Sequence, residues 1–236
     1  MHIFYCPSFS QGGTSLDENE SYHCVKVLRL HPETKINVID GKGGFYLCEI
    51  LKTNPKKVKV KILDRQLQYN KRDYYLHIGI SPTKQTERYE NFLDKAIEIG
   101  IDRITPIVCK RTERKKLRYD RVERVAQAAA KQSQNAFIPQ LDDLTPFSEI
   151  LNEEDVDGKY IASCQTDNRT SLEKLAANKG RVLILIGPEG DFMHEEVELA
   201  NSKGFENIDL GANRLRTETA GIVVSQIIKS LNQLKQ

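Results

Sequence analysis

Several familiar signatures are missing from this chain, and each absence narrows its function. No apolar stretch in the 236 residues approaches the roughly 20 needed to span a membrane. The start, Met1-His2-Ile3-Phe4-Tyr5, has neither a basic segment nor an apolar signal core, so export is not expected and the cytoplasm is the expected compartment. Cysteine is sparse and odd in number. Cys6, Cys24, Cys48, Cys109 and Cys164 are scattered without a CxxC pair, which favours idle reduced thiols over a zinc site or a disulfide frame. The histidines at 2, 23, 31, 77 and 194 show no metal-ligand spacing. No GxGxxG follows the first strand, no P-loop GxxxxGK is present, and no serine sits in a GxSxG elbow. Dinucleotide enzymes, P-loop NTPases and serine hydrolases of the α/β type are therefore poor fits.

What is present is the composition of a folded globular protein, 39% hydrophobic and 29% charged. The net charge of +2 is almost silent, but its distribution is not. Residues 110–124 hold eight basic side chains against three acidic ones, and residues 142–157 hold seven acidic side chains and no lysine or arginine. Such segregation allows a strongly positive surface that suits nucleic acid, or simply a solvated basic face beside a solvated acidic loop.

Residues 1–70 read as a β-rich domain. Strands are expected at 35–40 and 45–51 around a glycine-rich turn at 41–44. Strict alternation at 57–62 turns Val58, Val60 and Ile62 to a core and Lys57, Lys59 and Lys61 to water. A short helix is expected at 23–29 and a linker at 66–73. Residues 71–236 then alternate strand and helix, with strands at 74–80, 103–109, 159–163, 182–186 and 207–210. The intervening helices are expected at 85–99, 120–134, 171–177, 195–203 and 219–234. This pattern predicts an α/β domain with a mainly parallel sheet covered on both faces. In the last helix, Ala220, Val223, Val224, Ile227, Ile228, Leu231 and Leu234 make an apolar face wide enough for deep burial or for a second subunit.

Two glycine-bearing loops stand at strand ends in this second part. Gly187-Pro188-Glu189-Gly190 follows a wholly apolar run, and Leu210-Gly211 leads through Arg214, Leu215, Arg216, Thr217, Glu218 and Thr219 into the final helix at Ala220. Glycines at such ends let backbone approach a ligand, as in the crevices of open α/β sheets. Exposed amides and carbonyls could read an adenine edge, with Leu185, Ile186, Leu210 and Leu215 as apolar walls. Thr217 or Thr219 can cap the helix, and Glu218 suits its dipole. Arg214 and Arg216 are harder to explain structurally, because a guanidinium in a short loop seeks carboxylate or phosphate. A tight strand-to-helix turn without ligand is the competing reading of the first loop.

On these residues the chain resembles the RsmE family of 16S ribosomal RNA (uracil-N3)-methyltransferases, within the SPOUT superfamily. The resemblance runs through His23 with Val27-Leu28-Arg29, Lys95 with Glu98-Ile99-Gly100, Arg111 with Thr112, and Ala130 with Gln132-Ser133 and Pro139. It ends in the two loops just described. It implies a small PUA-like β-barrel domain at 1–70 that binds RNA, then a SPOUT domain at 71–236 with a C-terminal trefoil knot. It implies a homodimer and S-adenosyl-L-methionine held by Leu185, Ile186, Gly187, Pro188, Glu189, Gly190, Leu210, Gly211, Leu215, Thr217, Thr219 and Ala220. RNA contacts are implied at Arg29, Lys84, Arg111, Arg114 and Arg214, with no metal. Two departures stand out: Asp191 where the family usually has a glycine, and Gln134-Asn135 where a small residue and an arginine are usual.

The reaction so implied is methylation of a uridine N3 in ribosomal RNA of the small subunit. N3–H is weakly acidic, so a cation can stabilise the uridinate and a carboxylate can take the proton. Arg216 is expected in the first role and Glu218 in the second, with Glu189 as a loop organiser. N3 lies on the pairing edge, so the uridine must be unpaired or flipped out. Two alternatives stay open: a related enzyme acting on another RNA site, and a non-catalytic RNA-binding protein on the same fold.

Overall fold

Alternating side chains decide which face each N-terminal strand buries. In the computed structural model, which describes residues 2–166, 168–177 and 180–233, β1 (Ile3–Tyr5), β2 (Lys35–Ile39), β3 (Phe45–Lys52) and β4 (Lys59–Gln66) form one sheet in that order. β1 runs parallel to β2, and the other pairs are antiparallel. Val58 and Val60 are buried while Lys57, Lys59 and Lys61 are exposed, as expected from the alternation. Two register shifts between β3 and β4 bend the sheet. The outer edge of β4 is met by residues 14–16, with Leu16 N–H donating to Val58 O and Val60 N–H to Thr14 O, each at 3.0 Å. The curled sheet encloses Phe4, Phe9, Leu16, Ile36, Val38 and Ile50.

The helix of this region begins earlier than expected. α1 (Glu18–Tyr22) is capped by the Asp17 carboxylate, which accepts from Glu20 N–H, and continues into a π-helical turn at His23–Val27. Its polar first turn carries no apolar period, so only the Asp17 cap announces it.

The chain divides into two units, one within Met1–Lys71 and Gln127–Ile138, the other within Arg72–Ala126 and Pro139–Gln236. A boundary placed at residue 70 thus misses a returning segment. In the first unit Gly43 N–H donates to Ala136 O (2.9 Å), Ile138 N–H donates to Gly41 O (3.0 Å), and Lys131 Nζ lies 2.6 Å from the Glu20 carboxylate.

The second unit is built from β5 (Tyr75–Ile80), α2 (Thr86–Ile99), β6 (Arg103–Val108), α3 (Tyr119–Ser133), β7 (Gln140–Leu141), β8 (Thr145–Pro146) and α4 (Phe147–Ile150). It continues with β9 (Gly158–Ala162), β10 (Thr170–Ser171), α5 (Leu172–Ala176), β11 (Arg181–Ile186), α6 (His194–Ser202), β12 (Glu206–Asp209) and α7 (Thr217–Gln233). α3 is shared, its residues from Gln127 onward belonging to the first unit. The sheet order is β10-β12-β9-β11-β5-β6-β7, with β8 also on β6, and its pairings are parallel. β11 lies between β9 and β5, which is why its apolar run is unbroken. In α7, Ala220, Val224 and Ile228 are buried while Val223, Ile227 and Leu231 are half-buried; Leu234 lies outside the described residues.

The acidic stretch 142–157 is not the solvated loop that its charge suggests. It contains β8 and α4, and Asp142 and Glu153 both hold Arg103, at 2.7 and 2.8 Å. Asp157 accepts from the backbone of Gly180 and Arg181, and Asp155 pairs with Arg181. Charge counts cannot reveal these partners because each acts over long sequence distance.

His77 of β5 is 1% exposed, and its Nε2 lies 2.7 Å from Thr105 Oγ1, which itself donates to the Asp142 carboxylate. The threonine proton is therefore committed, so His77 donates from Nε2 and leaves a buried Nδ1 without partner. Burial, reinforced by the Arg103 guanidinium, pushes its pKa down to about 3. The unfolded chain then binds a proton that the folded chain refuses between pH ~6.5 and ~3. Stability is full above that window and falls with acid, by up to ~1.4 kcal/mol per pH unit from this group. Denaturant titrations at pH 7 and pH 5 should show a smaller loss in His77→Gln than in the wild type; equal losses would refute the assignment.

Candidate functional site

β11 ends in the core, and the chain must turn sharply there. Gly187 makes the turn possible, because a Cβ on it would lie 3.0 Å from two ring carbons of Phe192 and 3.2 Å from its nitrogen. Asp191 N–H closes the turn on Pro188 O at 2.9 Å. Neighbours hold this loop at three points. Glu189 accepts from Lys84 N–H (2.9 Å), Gly190 O accepts from the Arg111 guanidinium (2.6 Å), and Gly187 O accepts from the Thr217 hydroxyl (3.0 Å).

The second loop leaves β12 through Asp209, whose carboxylate accepts from Gly211 N–H at 3.1 Å. Gly211 takes a φ of +114°, which L side chains rarely adopt. The segment 211–214 and Arg216 are exposed, and Thr217 and Glu218 are buried as α7 begins. The Thr217–Gly187 bond therefore joins the two loops across the sheet end. It also shows that Thr217 spends its hydroxyl on the neighbouring loop rather than on a helix cap.

A third segment completes the site. The residues after β9, Ser163 and Cys164, lie beside the β11 loop because Ala162 is paired with Ile186. The three segments enclose a cavity of about 290 Å³, near the lower end of the ~300–1,000 Å³ typical of small-molecule sites. Its walls are apolar at Ile186, Pro188, Leu210, Leu215 and Ala220, with Ser163, Asp191, Asp209 and Thr217 as polar points. Arg169, Arg214 and Arg216 also line it, and among the described residues none of the three forms an ion pair with a carboxylate within 4.0 Å.

Most of the residues expected to hold a cofactor meet here: Ile186, Gly187, Pro188, Glu189, Leu210, Gly211, Leu215, Thr217 and Ala220 all line the cavity. Leu185, Gly190 and Thr219 do not. Leu185 points the other way along the strand, into the core cluster with Ile107 and Phe192. Ala162, Ser163, Cys164, Arg169, Ile208, Asp209 and Asn213 line the cavity without having been expected there, and Asp191, the departure from the family pattern, lines it too. The β9 residues gave no local signal, since only the pairing of β9 with β11 brings them in.

The two expected catalytic residues separate. Arg216 is exposed on the cavity lining. Glu218 is 6% exposed and off the lining; one carboxylate oxygen lies 3.7 Å from Arg88 Nε of α2, and the other is buried without a hydrogen-bond partner. Glu218 follows the loop-facing Thr217 by one residue, and that step rotates a helical side chain by about 100°, enough to turn Glu218 toward α2. Glu218 thus pairs with Arg88 and lies off the cavity lining.

The expected RNA contacts also divide. Arg214 stands on the cavity wall without an ion-pair partner among the described residues, whereas Arg111 and Arg114 are engaged with backbone carbonyls: Arg111 with Gly190, and Arg114 with Thr83 (3.1 Å) and Lys84 (2.7 Å). Lys84 pairs with Glu113 at 2.9 Å while remaining largely exposed. In the first unit Arg29 is exposed, at a φ of +54°. Among the described residues, no group of three or more His, Cys, Asp or Glu could hold a metal ion, and no helix is long and apolar enough to cross a membrane.

Comparison with known proteins agrees with this geometry. Residues 70–229 match the RNA methyltransferase domain, and residues 16–63 match the RNA methyltransferase PUA domain. A ribosomal RNA small subunit methyltransferase E of Buchnera aphidicola is 26% identical over 222 residues, covering 91% of this chain and 86% of that protein. The crystal structure of a probable rRNA-methyltransferase from Porphyromonas gingivalis superposes with a TM-score of 0.91 at 34% identity over the whole of both chains. A ribosomal RNA small subunit methyltransferase E from Neisseria gonorrhoeae, solved bound to S-adenosyl methionine, shares the fold, with a TM-score of 0.88 at 23% identity and 98% of each chain covered.

Proposed function

Because this chain belongs to the RNA methyltransferase domain family, matched over residues 70–229, we propose that it methylates N3 of a uridine in 16S ribosomal RNA of the small subunit, using S-adenosyl-L-methionine. The observation that carries this reading is the cavity where two glycine loops, tied by the Thr217–Gly187 bond, meet with Arg214 and Arg216 on their walls. The names of the curated relatives support the choice of small-subunit rRNA.

The residues present suit the cofactor. Backbone at Gly187 and Gly211 lines the cavity where an adenine edge can be read, Ile186, Leu210 and Leu215 can enclose its ring, and Asp209 can accept from ribose hydroxyls. S-adenosyl-L-methionine supplies an electrophilic methyl on a sulfonium. The chain's task is to bring an unpaired uridine into line with it, and alignment of two reactants is worth several kcal/mol of barrier by itself. Arg216 stabilises negative charge as N3–H ionises, and Arg214 and Arg169 neutralise RNA phosphate. With Glu218 held by Arg88, the N3 proton passes to water at the open rim.

The same reading assigns RNA docking to Arg29 and the lysines of β4, a trefoil knot to the passage of α7 past the loops, and a homodimer to the half-buried stripe Val223, Ile227 and Leu231. It places the protein in the cytoplasm. Mass spectrometry of nucleosides from small-subunit rRNA of a deletion strain is the test. Loss of 3-methyluridine, restored by the gene, is expected; an unchanged level would overturn the reading.

A further inference from the structure

Asp191 occupies a backbone conformation with φ +62°, a left-handed region that a residue with a side chain enters at some cost. The cost is retained where the side chain is useful, and this carboxylate is saturated with donors. One oxygen accepts from Phe192 N–H at 2.8 Å. The other accepts from Cys164 N–H (2.9 Å), Ser163 Oγ (3.3 Å) and Gln165 Nε2 (3.4 Å). These three donors belong to consecutive residues just beyond β9, 26 to 28 positions away in sequence. Ser163 Oγ also accepts from Gln165 N–H at 3.1 Å, which fixes the turn around the carboxylate.

We infer that Asp191 is a positioning residue that clamps the segment 163–165 onto the β11 loop as the third wall of the cofactor crevice. The pairing of β9 with β11 ends at Ala162 and Ile186, so beyond that point no sheet hydrogen bond holds the two segments together. The carboxylate replaces the missing ladder. Its bond to Cys164 N–H is charge-assisted and therefore among the stronger single contacts available to a loop. The clamped segment delivers Ser163 and Cys164 to the cavity lining, and Arg169 follows a few residues on. Released, it would leave the crevice bounded by the two glycine loops alone.

This inference rests on the cofactor reading above, and the experiment separates the two. Full-length wild type, Asp191→Gly and Asp191→Asn are titrated calorimetrically with S-adenosyl-L-methionine, and amide exchange at Cys164 and Gln165 is followed without cofactor. Glycine suits the backbone and removes the clamp; asparagine tolerates the same backbone and keeps one acceptor. Asp191→Gly should retain the wild-type Tm or exceed it, exchange faster at Cys164, and bind cofactor roughly tenfold more weakly. In turnover the loss should fall on KM for the cofactor, with kcat and KM for RNA little changed, and Asp191→Asn should recover most of it. Wild-type affinity or wild-type exchange in Asp191→Gly would overturn the clamp. Absence of cofactor binding by the wild type, with exchange still accelerated in Asp191→Gly, would sink the cofactor reading and leave the clamp standing as a loop tether.

Discussion

Arg216→Ala lowers kcat by roughly 10²–10³, with the cofactor Kd changed by no more than about twofold. The expectation follows from exposure and position. Arg216 lies on the cavity lining and has no carboxylate partner within 4.0 Å among the described residues, so its charge is available to a uridinate. Removing a preorganised donor from developing charge typically costs about 2.7–4 kcal/mol. Lysine should restore only part of the rate, because a point charge lacks the planar fork. Glu218→Gln provides the contrast. With its carboxylate turned to Arg88, it should lose stability rather than the pH dependence of the chemical step. Single-turnover methylation of the rRNA substrate measures both. A full rate in Arg216→Ala, or a collapse of rate in a well-folded Glu218→Gln, would reverse the assignments.

Gly221→Val should destabilise the second unit by about 3 kcal/mol, at the upper end of overpacking effects. Gly221 lies in α7 where that helix crosses α2, and a Cβ there would sit 2.5 Å from two ring carbons of Phe92 and 3.2 Å from Ile80 Cδ1. Phe92 is fully buried and cannot swing into solvent. A fall in Tm on the order of 10 °C is expected for a chain of this size. Phe92→Ala alone should also be destabilising, by about 3–5 kcal/mol. In the double variant the new side chain occupies the space that the ring leaves, so its loss should be clearly smaller than the sum of the two single losses. Strict additivity in thermal melts would show that the crossing is not controlled by this contact.

How far these sites could be read in advance depended on whether the signal was local. The parallel alternation and the wholly apolar β11 were legible, because burial on both faces of a central strand writes itself into consecutive residues. The two glycine loops were legible for a similar reason: each sits at a strand end and carries charge that a bare turn does not need. Leu185, expected beside Ile186 at the cofactor, lies off the cavity lining because a strand sends alternate side chains to opposite faces. Ser163, Cys164 and Arg169 were invisible, since their place depends on the β9–β11 pairing and on a carboxylate far along the chain. Arg111 and Arg114 looked like free cations, but their partners are backbone carbonyls, which no charge count records.

The segment 127–138 has a consequence in time. It completes the first unit, yet it is synthesised only after the Arg72–Ala126 part of the second. Until Lys131 arrives, the Glu20 carboxylate, 7% exposed in the finished protein, lacks the lysine that pairs with it. The turn at Gly41 and Gly43 likewise waits for Ala136 and Ile138. At translation rates of about 5–20 residues per second, several seconds separate Lys71 from that arrival. The N-terminal unit is therefore a structure that the ribosome must leave unfinished, and β5, α2 and β6 emerge while it is still waiting.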